Sequence, residues 1–305
     1  MNFAQLLFPD FSLILCGYFL CRYTALNRTV WQQAESLVYY FLFPVLLFHS
    51  IVKSPLDIQA TSSFLFAGLS MGLLAIALSY SLPYWPWIGR LIDKRDHAAS
   101  AQVSFRFNSF IALALAERLL GAEGLLLISL LIGFCVPLFN MGAVWPMARH
   151  GENSFLKEII RNPLILATSG GLLFNLLGFR IPAFMDPSLS RIGAASLALG
   201  LMSAGAGMKL KALNQGKLLG ALVLTIKHLL VPCIAWGLAQ YFQLSPVQTT
   251  VLLIFSALPT ASTCYVLASS MGYNGPYVAG LVTLSTLLGM LSLPFALGVL
   301  SHLRF

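Results

Sequence analysis

The chain has 305 residues, of which 58% are hydrophobic and 9% charged, and its mean hydropathy is +0.83. A soluble chain carries about 25% charge, so a water-soluble fold would leave more apolar surface than its polar residues could cover. The net charge of +8 could suggest nucleic acid, but the basic residues sit in short connections between apolar runs, which argues for orientation in a membrane instead.

A hydrocarbon core needs about 20 apolar residues per helix. Ten segments qualify in chain order: 4–21, 32–52, 62–83, 98–119, 124–146, 162–179, 188–208, 216–242, 248–271 and 276–300. Connections are short, and the longest, 86–96 and 148–161, are charged. Connections after the odd-numbered spans hold eleven Lys and Arg residues, including Arg90, Lys94, Arg95, Lys209 and Lys211; the other side holds five. The richer side is expected to be cytoplasmic, so both termini face outward. The N-terminus lacks a basic leader and a small-residue cleavage site, so no removed signal peptide is expected. Cys16, Cys21, Cys135, Cys233 and Cys264 show no metal-like spacing and read as apolar space-fillers.

Spans 4 and 9 carry the most informative pattern. Shifting FRFNSFIALALAERLLGAEG (Phe105 to Gly124) by 151 places superimposes Gly121 and Gly124 on Gly272 and Gly275, and Asn108-Ser109 on Pro259-Thr260. A second offset of 154 matches Pro9 and Gly17 to Pro163 and Gly171. Each of spans 4 and 9 has a polar interruption where a helix in lipid would want hydrocarbon. Irregular backbone survives there only when packed in protein or lining a cavity. Ten spans divide into five and five, and an odd-numbered repeat enters the membrane upside down on its second pass. The expected fold is therefore an all-α integral membrane protein: ten transmembrane helices as two inverted five-helix repeats, residues 1–155 and 156–305, with broken, crossing helices 4 and 9.

Several residues at these interruptions could carry chemistry. Asn108 and Ser109 suit either a helix-packing hydrogen bond or the N-cap of a half-helix, whose partial positive charge would favour an anion. Pro259 removes a donor in mid-span, and Thr260 and Ser262 follow it, so the helix either kinks or breaks with capped ends. Arg106 either snorkels to a headgroup or offers its fork to a carboxylate. Lys227, beside His228 in span 8, could pair internally, bind an anion or balance a proton-coupling group. Glu35, His49, Glu117 and Glu123 read as interfacial. Small residues in span 7 (Gly200, Ala204, Gly205, Gly207) and span 6 (Gly170, Gly171) allow close helix approach.

In order and spacing, these runs resemble the auxin efflux carrier family, whose bacterial members include malate and malonate permeases. The resemblance spans the whole chain: FPVLLF (Phe43 to Phe48), RFNSFIALALAERLLGAEG (Arg106 to Gly124), NPLILATSGGLLFNLLG (Asn162 to Gly178), LALGLMSAGAGMKL (Leu197 to Leu210), Lys227 through Pro232, and ALPTASTCYVLASSMG (Ala257 to Gly272). It implies a scaffold of spans 1, 2, 6 and 7, a moving bundle of spans 3–5 and 8–10, and elevator-like alternating access. It also implies that Asn108 and Ser109 are substrate-site residues, with Pro259 at the second break. Two departures stand out. Ala112, Leu113 and Ala114 replace a frequent Gly-Leu-Pro, so the first break cannot rest on proline. Ser196 stands where a proline is frequent.

The expected function is secondary active or facilitative transport of small organic anions, carboxylates such as malate or malonate, with the lipid bilayer as the other partner and no nucleic acid. The alternative is a channel-like pore, or a carrier of a neutral or cationic solute in the same fold. An intramembrane enzyme would need a nucleophile–base pair or metal cluster at depth, and no such signature is present. No cofactor or metal is expected. Proton or sodium coupling and a homodimer stay open at this stage.

Overall fold

The computed structural model describes residues 3–53, 58–147, 163–208, 216–261 and 263–299. These residues are helical with turns between, and no strand occurs among them. The helices are α1 (Phe3–Tyr23), α2 (Arg28–Lys53), α3 (Ile58–Ser81), α4 (Lys94–Ser100), α5 (Ser109–Met147), α6 (Pro163–Leu176), α7 (Asp186–Ala206), α8 (Lys217–Tyr241), α9 (Pro246–Ala257), α10 (Thr263–Ser270) and α11 (Gly275–Val299). Five stretches, within α2, α3, α5, α8 and α11, are long and apolar enough to cross a bilayer. Large apolar side chains lie exposed along them, among them Phe41, Phe66 and Leu291, as suits a protein surrounded by lipid. Tyr84 and Trp87, also exposed, follow α3 where an aromatic belt would meet the headgroups.

Local sequence explains the helix ends. The Asn27 carboxamide accepts from Thr29 and Val30 N–H, the Asp93 carboxylate from Arg95 and Asp96 N–H, and Asn274 from Tyr277 N–H. Ser245 and Gln248 form a reciprocal capping box ahead of α9. Inside α5, Gly121 takes φ 62°, ψ −145°, a conformation open only to glycine, and divides the helix there. Gly272, also at positive φ (76°), ends the run that follows α10. Three helices contain a wide turn, α2 over Val38–Leu42, α8 over Ile226–Leu230 and α11 over Phe295–Val299; Phe43 N–H bonds Val38 C=O and Val231 N–H bonds Ile226 C=O, each five residues back. The first two stand just before a proline, Pro44 and Pro232, which has no N–H to continue the ladder, and the third follows Pro294.

The chain divides into two compact units that interleave in sequence. Unit 1 comprises Met1–Ser62, Ser109–Phe134 and Ser154–Gly207; unit 2 comprises Ser63–Asn108, Cys135–Asn153 and Met208–Phe305.

In unit 1, α1 packs along α7 and α6 along α2, while α2 also meets α7. Glycines set these distances. A Cβ on Gly17 would collide with the Met202 carbonyl, one on Gly205 with the Ile14 carbonyl, and one on Gly171 would press on Phe48 Cα and Ile51 Cβ. These contacts repeat at the offset of 154, since Gly17 and Met202 map onto Gly171 and Phe48. Polar contacts tie the helix ends. Asn175 donates to the Ile51 and Val52 carbonyls at 2.7 and 3.2 Å. His49 and Lys53 both reach the Asp186 carboxylate, at 2.8 and 2.9 Å. The hydrogen bond from Lys53, and then that from His49, hold the Asp186 carboxyl below its ordinary range. Glu35 is half-buried and held in a two-pronged bond by Arg28.

In unit 2 the core gathers around α9, buried from Val251 through Ala257, and α11. Phe107 meets Phe255 at a tilt of 55° with ring centroids 4.4 Å apart, and Phe139 joins both.

Replacing Gly17 by valine forces α1 away from α7. Overpacking of this kind costs about 1–3 kcal/mol and is expected to lower the thermal unfolding midpoint in detergent. Gly170→Ala, where a Cβ meets nothing within 4 Å, is the matched control and should lose no stability.

Candidate functional site

The helical ladder fails twice in unit 2. After α4 the chain tightens into a 3-10 turn over Ala101–Ser104, passes Phe105, and runs non-helically through Arg106, Phe107 and Asn108. After α9 it is non-helical from Leu258 through Ala261, and α10 begins at Thr263. Leu258 takes the extended conformation (φ −58°, ψ 143°) that a following proline enforces. A Cβ on Gly289 of α11 would lie 2.6 Å from Pro259 Cγ, so the bare glycine makes room for the proline ring.

Groups released by one break are taken up by the other or by side chains around them. Asn108 N–H donates to the Pro259 carbonyl at 2.8 Å. The Thr260 hydroxyl donates to the Val103 carbonyl at 2.5 Å, and Thr260 N–H to Ser285 Oγ at 2.9 Å. Gln102 donates to the Ala99 and Cys264 carbonyls at 2.9 and 3.2 Å. Ser79 and Ser104 both donate to the Ala101 carbonyl, at 2.9 and 2.6 Å. Ser292 donates to the Ala257 carbonyl, the last of α9, at 2.9 Å.

Two basic side chains stand here. Arg106, half-buried, donates to Gln102 Oε1 at 3.0 Å, Thr263 Oγ1 at 3.1 Å and Asn140 Oδ1 at 3.3 Å. All three acceptors are neutral. Lys227 is 2% exposed and rises from the wide turn of α8. The buried Cys264 thiol lies within electrostatic reach of both basic groups. Among the described residues, the carboxylate pairs involve Glu35 and Asp186, both in unit 1, and none reaches Arg106 or Lys227. Residues 187–305 contain no Asp or Glu. The described acids of unit 2 are Asp93 and Asp96 at the start of α4. Asp96 lies ten residues before Arg106 and accepts from Asn274.

Of the residues singled out from sequence, Arg106, Asn108, Pro259, Thr260 and Lys227 all belong to unit 2, and Asn108 and Pro259 touch directly. Ser109 opens α5 in unit 1, and Ser262 lies outside the described residues. Sequence reasoning did not single out Gln102, Asn140, Ser285 or Ser292. The available signal was weak: a glutamine inside an apolar run, and two serines seven residues apart on one face of α11.

Comparison with known proteins fits these features. The family described as "Membrane transport protein" matches residues 98–297. An uncharacterised transporter of Methanocaldococcus jannaschii is 22% identical over 291 residues, covering 92% of each chain. The uncharacterised transporter YfdV of Escherichia coli K12 is 24% identical over 214 residues, covering 65% of this chain and 66% of its own. A protein of Rhizobium meliloti provisionally named a malonate transporter is 21% identical over 303 residues, covering 93% of this chain and 92% of its own.

Thr260→Val keeps the side-chain volume and removes the bond to Val103. Leaving that buried carbonyl bare costs about 1–3 kcal/mol, expected as a lower unfolding midpoint and faster amide exchange at Asn108 and Thr260.

Proposed function

Because the chain belongs to the auxin efflux carrier family of membrane transport proteins, we propose that it carries small organic anions across the membrane, carboxylates such as malate or malonate. One observation carries this reading: Arg106 and the buried Lys227 sit at the paired breaks, and no described carboxylate neutralises either. A buried positive charge without a counterion is costly, and an anionic cargo would relieve that cost each time it binds. The arginine fork suits a carboxylate, and a lysine adds a point charge. The N-terminus of α10 contributes a partial positive charge close in the chain to Thr260. The Asn108 side chain supplies neutral hydrogen bonds, and Thr260, whose hydroxyl and N–H are spent on Val103 and Ser285, holds the shape of the wall. Ser109, which follows Asn108 in the chain, and Ser262, two residues after Thr260, stay candidates on sequence alone.

The mechanism we favour is elevator-like alternating access, in secondary active or facilitative mode. Spans 1, 2, 6 and 7 serve as scaffold and the remainder as the moving bundle, in a ten-helix fold of two inverted repeats. Three features support the repeats. Gly121 and Gly272, equivalent at the offset of 151, both take positive φ. The pair Gly17–Met202 maps onto Gly171–Phe48 at the offset of 154. Asn108 and Pro259 are equivalent to each other and hydrogen-bonded to each other. A symmetric pair would exchange two bonds, but proline has no N–H, so one is made. The relative named for malonate transport supports the choice of cargo. Both termini periplasmic is the sidedness that the distribution of Lys and Arg favours, and a bacterial inner membrane follows from the resemblance to the family's bacterial members.

Purified protein in liposomes is expected to take up labelled malonate or malate saturably and to show counterflow. Arg106→Gln and Asn108→Ala should each raise KM by roughly tenfold or more, the equivalent of about 1.4 kcal/mol. Linear, non-saturating flux would point to a pore, and unchanged KM in both variants would remove these residues from the site.

A further inference from the structure

A connected set of polar side chains braces the second break from behind, centred on His228. This residue stands in the wide turn of α8, and both of its ring nitrogens meet hydroxyls of α11. Nδ1 lies 2.9 Å from Ser292 Oγ, and Nε2 lies 2.8 Å from Ser285 Oγ. The two serines are about two turns apart and share one helix face. Each leads to a different side of the break. Ser292 donates to the Ala257 carbonyl, where α9 ends, while Ser285 accepts Thr260 N–H just beyond Pro259. Thr260 in turn holds the Val103 carbonyl that follows α4.

Counting protons gives the direction of each bond. A neutral imidazole has one donor nitrogen and one acceptor. The single hydroxyl proton of Ser292 goes to Ala257, so its oxygen receives Nδ1–H. Nε2 is then the acceptor and takes the proton of Ser285, whose oxygen keeps lone pairs for Thr260 N–H. The other destination for that proton, Thr260 Oγ1, is more distant at 3.1 Å. With this tautomer, assigned from the network, His228 and both serines are satisfied around an uncharged ring. A buried polar network confers rigidity only under that condition.

We propose that His228 is the positioning residue of the second break. Through Ser285 and Ser292 it fixes where α9 stops and where Thr260 stands, and so shapes the Leu258–Ala261 wall of the site without touching cargo. The bracing follows from the bonds alone, whereas its effect on transport rests on the carboxylate-carrier reading above.

The test uses the full chain in liposomes with His228→Ala and His228→Gln, glutamine offering one donor group and one acceptor. Loss of a buried network bond is expected to raise KM for labelled malonate roughly tenfold in His228→Ala, with Vmax within about threefold of the parent. His228→Gln should recover most of the loss. Ser285→Ala combined with Ser292→Ala should match His228→Ala, and adding His228→Ala to that pair should raise KM no further, as expected for one unit. A second readout needs no transport: alkylation of Cys264, buried just beyond the break, followed by mass spectrometry. It should be slow in the parent, about tenfold faster in His228→Ala and slow again in His228→Gln, because opening of the break sets the rate. Unchanged KM and unchanged Cys264 labelling in His228→Ala overturn the proposal. So does a glutamine variant indistinguishable from alanine, since volume rather than bonding would then matter. If the parent takes up no carboxylate, the carrier reading fails, and Cys264 labelling alone decides whether His228 braces the break.

Discussion

Backbone that leaves the helix inside hydrocarbon has no water to turn to, and an unpaired N–H or C=O there is expensive. Unit 2 meets this constraint by making its two interruptions partners. Asn108 gives its N–H to Pro259, and Thr260 gives its hydroxyl to Val103. Neither break is therefore self-sufficient. Straightening one into a helix would strip the other of acceptors or donors, so the two persist together. Side chains serve the groups left over, with Ser79 and Ser104 on Ala101, Gln102 on Cys264, and Ser292 on Ala257.

Charge then gives this dry, well-bonded region a sign. The neutral acceptors around Arg106 fix its direction without cancelling its field. Lys227, buried in the wide turn of α8, is the second basic group near the Cys264 thiol. Both stand in a low-dielectric setting where Coulomb attraction is screened far less than in water. The acids that could answer them are elsewhere: Asp93 and Asp96 cap or bond at the far end of α4, and Glu35 and Asp186 are committed within unit 1. The helix-breaking geometry and the unanswered charge thus occupy the same few residues.

How much of this could be read in advance depended on whether the signal was local. Pro259 and the Asn108 amide stand out because each is wrong for an unbroken helix at that depth, and Gly121 and Gly272 align because each marks a turn that a Cβ would strain. The absence of proline near Asn108 made the first interruption harder to place, and it is held by bonds to distant residues rather than by its own sequence. The His228–Ser285–Ser292 set left no such trace. Its members lie 57 and 64 residues apart, and serines in an apolar helix look like ordinary packing. The exchange of Gly17–Met202 for Gly171–Phe48 was half legible: the glycines match in sequence, but what they pack against is set by the tertiary fold.

The widened turn of α8 sends neighbouring residues to different helices. Lys227 acts on Cys264 of α10, whereas His228 serves the serines of α11. Field strength and mechanical support are thereby separable traits encoded by adjacent codons. A substitution at 227 can therefore change the charge near α10 while the hydrogen bonds made from 228 stay in place.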